Sequence, residues 1–132
     1  MSKSDYLENE ILDHVLGGGD FTRPATVYVA LYTAAPNDAG GGTEVSGGSY
    51  SRLPVTNNSS NFPAAQDGAK SNGTLLTFPT ATANWGSIVA FALFDAASSG
   101  NMLYHGAITT PKTIDNGDTA EFPIGSLTFT ED

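Results

Sequence analysis

The chain contains no cysteine. A disulfide framework and a thiolate zinc site are therefore excluded, and stabilisation has to come from packing or oligomerisation. Basic residues are scarce: five lysines and arginines stand against fourteen aspartates and glutamates, for a net charge of −9. Such a surface repels a phosphate backbone, so nucleic acid is excluded as the expected partner. The plain consequence of the acidity is solubility; the sharper one is a partner with a basic face. Long apolar runs are missing as well. The longest, Ile88-Val-Ala-Phe-Ala-Leu-Phe94, is too short to span a bilayer. The first residues carry one lysine and no apolar stretch, so neither a Sec-type leader nor a membrane partner is expected.

Catalytic signatures are absent too. No GxxxxGK(S/T), GxGxxG, HExxH or GxSxG pattern occurs. The only histidines are His14 and His105. A hydrolase would need one of them as base beside a nucleophile and an orienting acid. His105 lies in Leu103-Tyr-His-Gly-Ala107, with no acid close in sequence, and reads as a strand histidine satisfied by ordinary hydrogen bonds. Asp115-Asn116-Gly117-Asp118 offers clustered oxygens for a hard cation but lacks the rest of an EF-hand loop, and Asn-Gly reads first as a type I′ turn. Asn57, Asn58 and Asn72 match glycosylation acceptors, but without a leader these are chance matches in a polar loop. The expectation is a protein that is not an enzyme and has no catalytic, cofactor-binding or metal-binding residues.

What is present is a change of period. The segment Ser4 to Leu16 places Leu7, Ile11 and Val15 at helical spacing, with Leu12 and Leu16 beside them. Ser2 or Ser4 can cap it, Asp5 and Glu8 sit in its positive first turn, and Gly17 supplies the stop. A helix this short needs a surface to dock on, its own sheet or a neighbour. After Gly17-Gly18-Gly19 the pattern is that of strands and turns. Thr26–Thr33 alternates, with Val27, Val29 and Leu31 on one side and Tyr28, Ala30 and Tyr32 on the other. Residues 34–48 and 57–72 read as loops. Strands are expected at 50–56, where Pro54 marks an edge, and at 73–79, 87–95, 102–109, 119–122 and 126–130, with hairpin signals at Ser99-Gly100 and Asn116-Gly117. The stretch 87–95 is apolar on both faces, as a covered central strand is. The expected core includes Val29, Leu31, Phe91, Leu93 and Phe129.

The chain of 132 residues thus reads as one domain, mainly β: an antiparallel β-sandwich, Ig-like or jelly-roll-like, over about 24–131 with one short N-terminal α-helix over about 4–16. Trp85, between Asn84 and Gly86, is a candidate ligand-stacking residue; its competing reading is an anchor at the sheet's end.

Five blocks, Ser4–Gly17, Pro24–Thr33, Gly42–Arg52, Phe78–Gly86 and Leu103–Lys112, in this order resemble a family of small tailed-bacteriophage virion structural proteins, often labelled tail fibre proteins. The resemblance implies a virion protein, assembled in the bacterial host cytoplasm, with no catalytic residues to transfer. Its partners would be other virion proteins, the major capsid protein or tail proteins, and it would form a homo-oligomer, with a trimer as one form. A fibre shaft needs repeats or coiled coil, and neither is present. The shortness therefore points to a capsid decoration or cement protein on the outer head surface that stabilises the shell. The alternative is a tail fibre or tail-tip protein in host receptor or glycan binding. On either reading, Tyr6, Leu7, Ile11 and Val15 of the helix and Asn37, Asp38 and Glu44 of the Gly-rich loop are the expected intersubunit contacts.

Overall fold

The computed structural model describes residues 1–131. In chain order the elements are β1 (Ser2–Lys3), α1 (Asp5–Val15), β2 (Thr26–Ala34), β3 (Thr43–Glu44), β4 (Leu53–Thr56), β5 (Ala69–Ser71), β6 (Leu76–Thr77), β7 (Gly86–Phe94), β8 (Met102–Ile114), β9 (Glu121–Phe122) and β10 (Thr128–Thr130). The main sheet runs β1-β8-β7-β2-β3, with β4 also on β2. All of its pairs are antiparallel. Two short ribbons, β6–β9 and β5–β10, form a second layer. The result is the mainly β, antiparallel, sandwich-like architecture with one short helix expected from the sequence, its second layer divided into ribbons.

The alternation along β2 sets the core. Val27, Val29 and Leu31 join the larger apolar cluster, with Phe91 and Leu93 of β7 and the ribbon residues Leu76, Phe122 and Phe129. Ala30 and Tyr32 join a smaller cluster on the opposite face, with Ala90, Ala92, Phe94 and Met102. β7 lies between β2 and β8 and is covered on both faces, which is why it reads as an unbroken apolar run. A bulge changes its parity. Ile88 pairs with Lys112 while Ala90 pairs with Ala107, so Val89 stands opposite the widened segment 108–111. The bulge brings Ile88 into the larger cluster with Phe91 and Leu93 and accommodates Pro111, which has no N–H for a ladder. Pro54 lies in β4, paired on one side with β2, the edge position its chemistry requires.

Several boundaries differ from the sequence pattern. The segment 34–48 contains β3, and 57–72 contains β5. Of 73–79 only Leu76–Thr77 is strand. β1 was not legible at all; it pairs Ser2 with His105 and Lys3 with Tyr104. Ser99 (φ 52°) and Gly100 (φ 73°) are both left-handed, but the β7–β8 connection runs over residues 95–101 and is closed by the Asp95 side chain, which accepts the Asn101 N–H at 2.7 Å, and not by a two-residue turn. At Asn116-Gly117 only the glycine is left-handed (φ 92°), and Asp118 N–H donates to the Asp115 carbonyl at 3.0 Å. That is the pattern of a type II turn. It does not close a hairpin, because β9 pairs with β6 and not with β8.

Candidate interaction surface

The N-terminus of α1 is held by backbone and side-chain bonds together. Ser4 is extended (φ −73°, ψ 161°), and its Oγ accepts the Leu7 N–H at 3.1 Å as an N-cap. The same hydroxyl donates to the Met102 carbonyl, and the Ser4 N–H donates to the Leu103 carbonyl at 2.9 Å. Asp5 N–H donates to the Asp38 carbonyl at 2.9 Å. These bonds fix the direction in which the helix leaves β8. Leu7 is 3% exposed and belongs to the larger cluster, with Tyr6 and Ile11 half-buried against it. The helix thus packs on its own sheet.

Past Ile11 the helix outruns that sheet. Leu12, Val15 and Leu16 are 58%, 69% and 71% exposed. Gly17 (φ 120°) ends the helix, and the Gly18 and Gly19 N–H groups donate to the Asp13 carbonyl at 3.3 and 3.2 Å. The chain then returns, with Phe21 N–H donating to His14 Nδ1 at 3.1 Å. His14 Nδ1 thus ties the returning chain to the last turn of the helix.

The loop residues expected at an interface are largely engaged within the chain. Asn37 and Gly40 exchange backbone bonds of 2.8 and 2.9 Å, and Asn37 Oδ1 accepts the Ala39 N–H at 2.9 Å. Asp38 Oδ1 lies 2.7 Å from His105 Nε2. An acid is thus brought to His105 from far away in sequence, and the histidine has the ordinary hydrogen bond expected of it. Glu44 accepts the Tyr50 hydroxyl at 2.7 Å and forms a two-point pair with Arg52 at 3.0 and 2.9 Å. Burial first, then the bond to Glu44, pushes the Tyr50 phenol pKa up. Arg52 in turn donates to the Ala96 and Ser99 carbonyls and stacks 3.6 Å over the Phe94 ring. Glu44 anchors its own loop and the β7–β8 turn.

Trp85 is 5% exposed. Its ring N–H donates to the Gly48 carbonyl at 2.9 Å, and its ring meets Tyr50 and Phe78 edge-on. Gly48 (φ 58°) leaves no room for a side chain here, since a Cβ would lie 2.9 Å from the Ala83 carbonyl and from the indole nitrogen. Trp85 is therefore an anchor, and the stacking role is corrected. Asp118 Oδ2 accepts the Asp115 N–H at 2.9 Å, and among the described residues no group of three or more His, Asp and Glu side chains could hold a metal ion. Asn57 donates to the Pro24 carbonyl, and Asn58 accepts the Ser60 and Asn61 N–H groups. Asn72 is buried. Among the described residues no helix is long and apolar enough to cross a membrane.

Of the expected contacts, then, Leu7 belongs to the core, Glu44 to an internal ion pair, and Asn37 and Asp38 to intrachain bonds. Tyr6 and Ile11 are shared between core and surface, and Val15 is free. Leu12 and Leu16, on the same helix but not among the residues singled out, complete an exposed aliphatic patch with Val15. The signal for them was the i, i+4 spacing of the two leucines.

A family model described as podophage GP4 fiber I protein gp80 matches residues 2–130. The match takes in α1, both layers of the sandwich and the exposed patch. No curated protein matches the chain.

Proposed function

The chain belongs to the podophage GP4 fiber I protein gp80 family, and on that premise we propose that it is a non-enzymatic building block of the tail fibre apparatus. It is a phage virion structural protein. The family match over residues 2–130 carries the finer reading, and it favours the fibre alternative over the head-cement role that the shortness of the chain suggested. The described residues form a sandwich-like domain with one helix of 11 residues and no coiled coil, which suits a module joined to other fibre or tail components. A lectin role resting on Trp85 loses its support because the ring is buried.

The test is immunogold labelling of intact virions with an antibody to this chain. Gold confined to the tail or its appendages supports the fibre reading. Gold spread over the head overturns it and restores the cement reading.

A further inference from the structure

We propose that the overhanging end of α1 is a plug that seats in an apolar socket, rimmed by lysine or arginine, on a different virion protein. This rests on the fibre-module reading above. Leu12, Val15 and Leu16 are the most exposed cluster of large aliphatics in the described chain. Together they present on the order of 300 Å² of aliphatic surface, the scale at which contiguous patches on monomers serve as interaction sites. Among the described residues none covers them, as their exposures of 58%, 69% and 71% show, and the chain beside them is open as well: a Cβ added at Gly17 or Gly18 would meet no atom within 4 Å.

Charge selects the occupant. Residues 4–22 contain Asp5, Glu8, Glu10, Asp13 and Asp20 and no lysine or arginine. Of the flanking cations, Lys3 is paired with Glu131, and Arg23 is exposed beyond the loop, one positive charge against these five carboxylates. Two copies meeting patch to patch would bring two identical sets of carboxylates together, in chains that each carry −9. An anionic lipid surface is repelled for the same reason. A socket with an apolar floor and a basic rim satisfies both the leucines and the carboxylates, and it places apolar contacts at the centre and charges at the edge.

The experiment uses phage lacking this gene, grown on cells that supply the full chain in trans. Leu12→Ala, Val15→Ala and Leu16→Ala are combined in one variant, and Asp13→Lys and Asp20→Lys, at and just beyond the end of α1 where a cation suits the helix dipole, in a second; all five residues are exposed. Both variants should keep the wild-type Tm, and both should be depleted about tenfold or more from purified virions by quantitative mass spectrometry, which corresponds to about 1.4 kcal/mol or more per site. Purified wild-type chain added back to depleted virions should bind more weakly as sodium chloride rises from about 50 to 300 mM. Full incorporation of the aliphatic variant overturns the plug. Salt-independent rebinding, or full incorporation of the lysine variant, overturns the basic rim. Self-association of the wild-type chain in sedimentation, abolished by the aliphatic variant, reassigns the patch to a second copy. If the wild-type chain itself is absent from virions, the fibre-module reading fails first. Should the aliphatic variant lose stability, the exposed lysine variant still decides.

Discussion

Asn72 offers the sharpest test of how the two ribbons are held together. It lies between β5 and β6 and is 2% exposed. Its side-chain amide donates to the Thr74 and Pro123 carbonyls, both at 2.9 Å, and Oδ1 accepts the Leu127 N–H at 2.9 Å. The Phe122 carbonyl is 3.4 Å from the same nitrogen. Pro123 and Leu127 lie between β9 and β10, so this one side chain ties together the two connections, β5–β6 and β9–β10, that join one ribbon to the other. Asn72→Ala leaves two carbonyls and one N–H without partners in a buried place. At about 1–3 kcal/mol for each unsatisfied group, softened by relaxation, the loss should be about 3–5 kcal/mol. For a chain of this length the unfolding entropy is about 0.28 kcal/mol/K, so Tm should fall by about 10–18 °C. Asn72→Asp is the discriminating variant. It keeps the shape but turns a carboxyl oxygen, an acceptor, toward the Thr74 and Pro123 carbonyl oxygens. Burial and those oxygens disfavour the carboxylate, so the folded-state pKa rises above the unfolded value of about 3.9. A raised acid pKa means that the folded state holds its proton longer. The variant should therefore lose about 1–2 kcal/mol below pH 3.9, where the protonated acid still donates one bond. Its deficit relative to wild type should grow as pH rises above 3.9, by up to about 1.4 kcal/mol per pH unit, until the folded-state pKa is passed. The assay is urea unfolding of wild type and variant side by side from pH 3 to 8. A deficit that is the same at both ends refutes the reasoning: Asn72 would then be neither buried nor a donor to carbonyls in solution.

Three further outcomes follow from the same structure. Phe91→Ala should cost about 3–5 kcal/mol, because its ring touches Phe122 of one ribbon at 6.2 Å and Phe129 of the other at 6.1 Å between centroids; a loss near 1 kcal/mol in chemical denaturation would displace β7 from the centre of the core. Ser4→Ala should cost about 1–2 kcal/mol through the lost cap and raise hydrogen exchange at the Leu7 amide, while unchanged exchange there would mean that the cap does not hold α1. The Tyr104 phenol, raised first by partial burial and then by the Glu131 carboxylate, is pushed up to about 12; its contribution to stability is complete below pH 10 and is lost as pH rises toward 12, so Tyr104→Phe should flatten the alkaline stability loss in that window, and a phenol titrating near 10 in the ultraviolet difference spectrum would contradict its packing against the core.

The elements most legible in the sequence are those whose burial is simple. β2 shows a clean alternation because its two faces enter two different clusters, and β7 shows an unbroken run because both of its faces are covered. The short strands were not legible for a physical reason. β1, β3 and β5 contribute two or three residues each, too few to display a period, and they exist because a longer neighbour supplies the ladder. Asn116-Gly117 misled because a turn signal specifies local backbone and not which strands meet. Asn72 reads in the sequence only as a glycosylation pattern, since the Pro123 carbonyl and the Leu127 N–H that complete its role lie some fifty residues away.

The helix shows where periodicity stops being informative about function. Leu7, Ile11 and Val15 share one stripe by spacing, yet Leu7 is buried and Val15 is 69% exposed. The stripe does not change character along the helix; the sheet beneath it ends. Burial of a helical residue depends on the length of the surface it faces as well as on its angle, and that length is set by β8 and by the Ser4 anchors, which fix where the helix begins and how it is aimed. The same argument explains why Leu12 and Leu16 belong with Val15. Once the sheet has ended, residues at neighbouring angles become equally free, so three aliphatics merge into one patch. For a short helix at a chain's N-terminal end, the apolar turns that remain beyond the last supporting strand are therefore the place to look for a partner, and the charges around those turns indicate which partner fits.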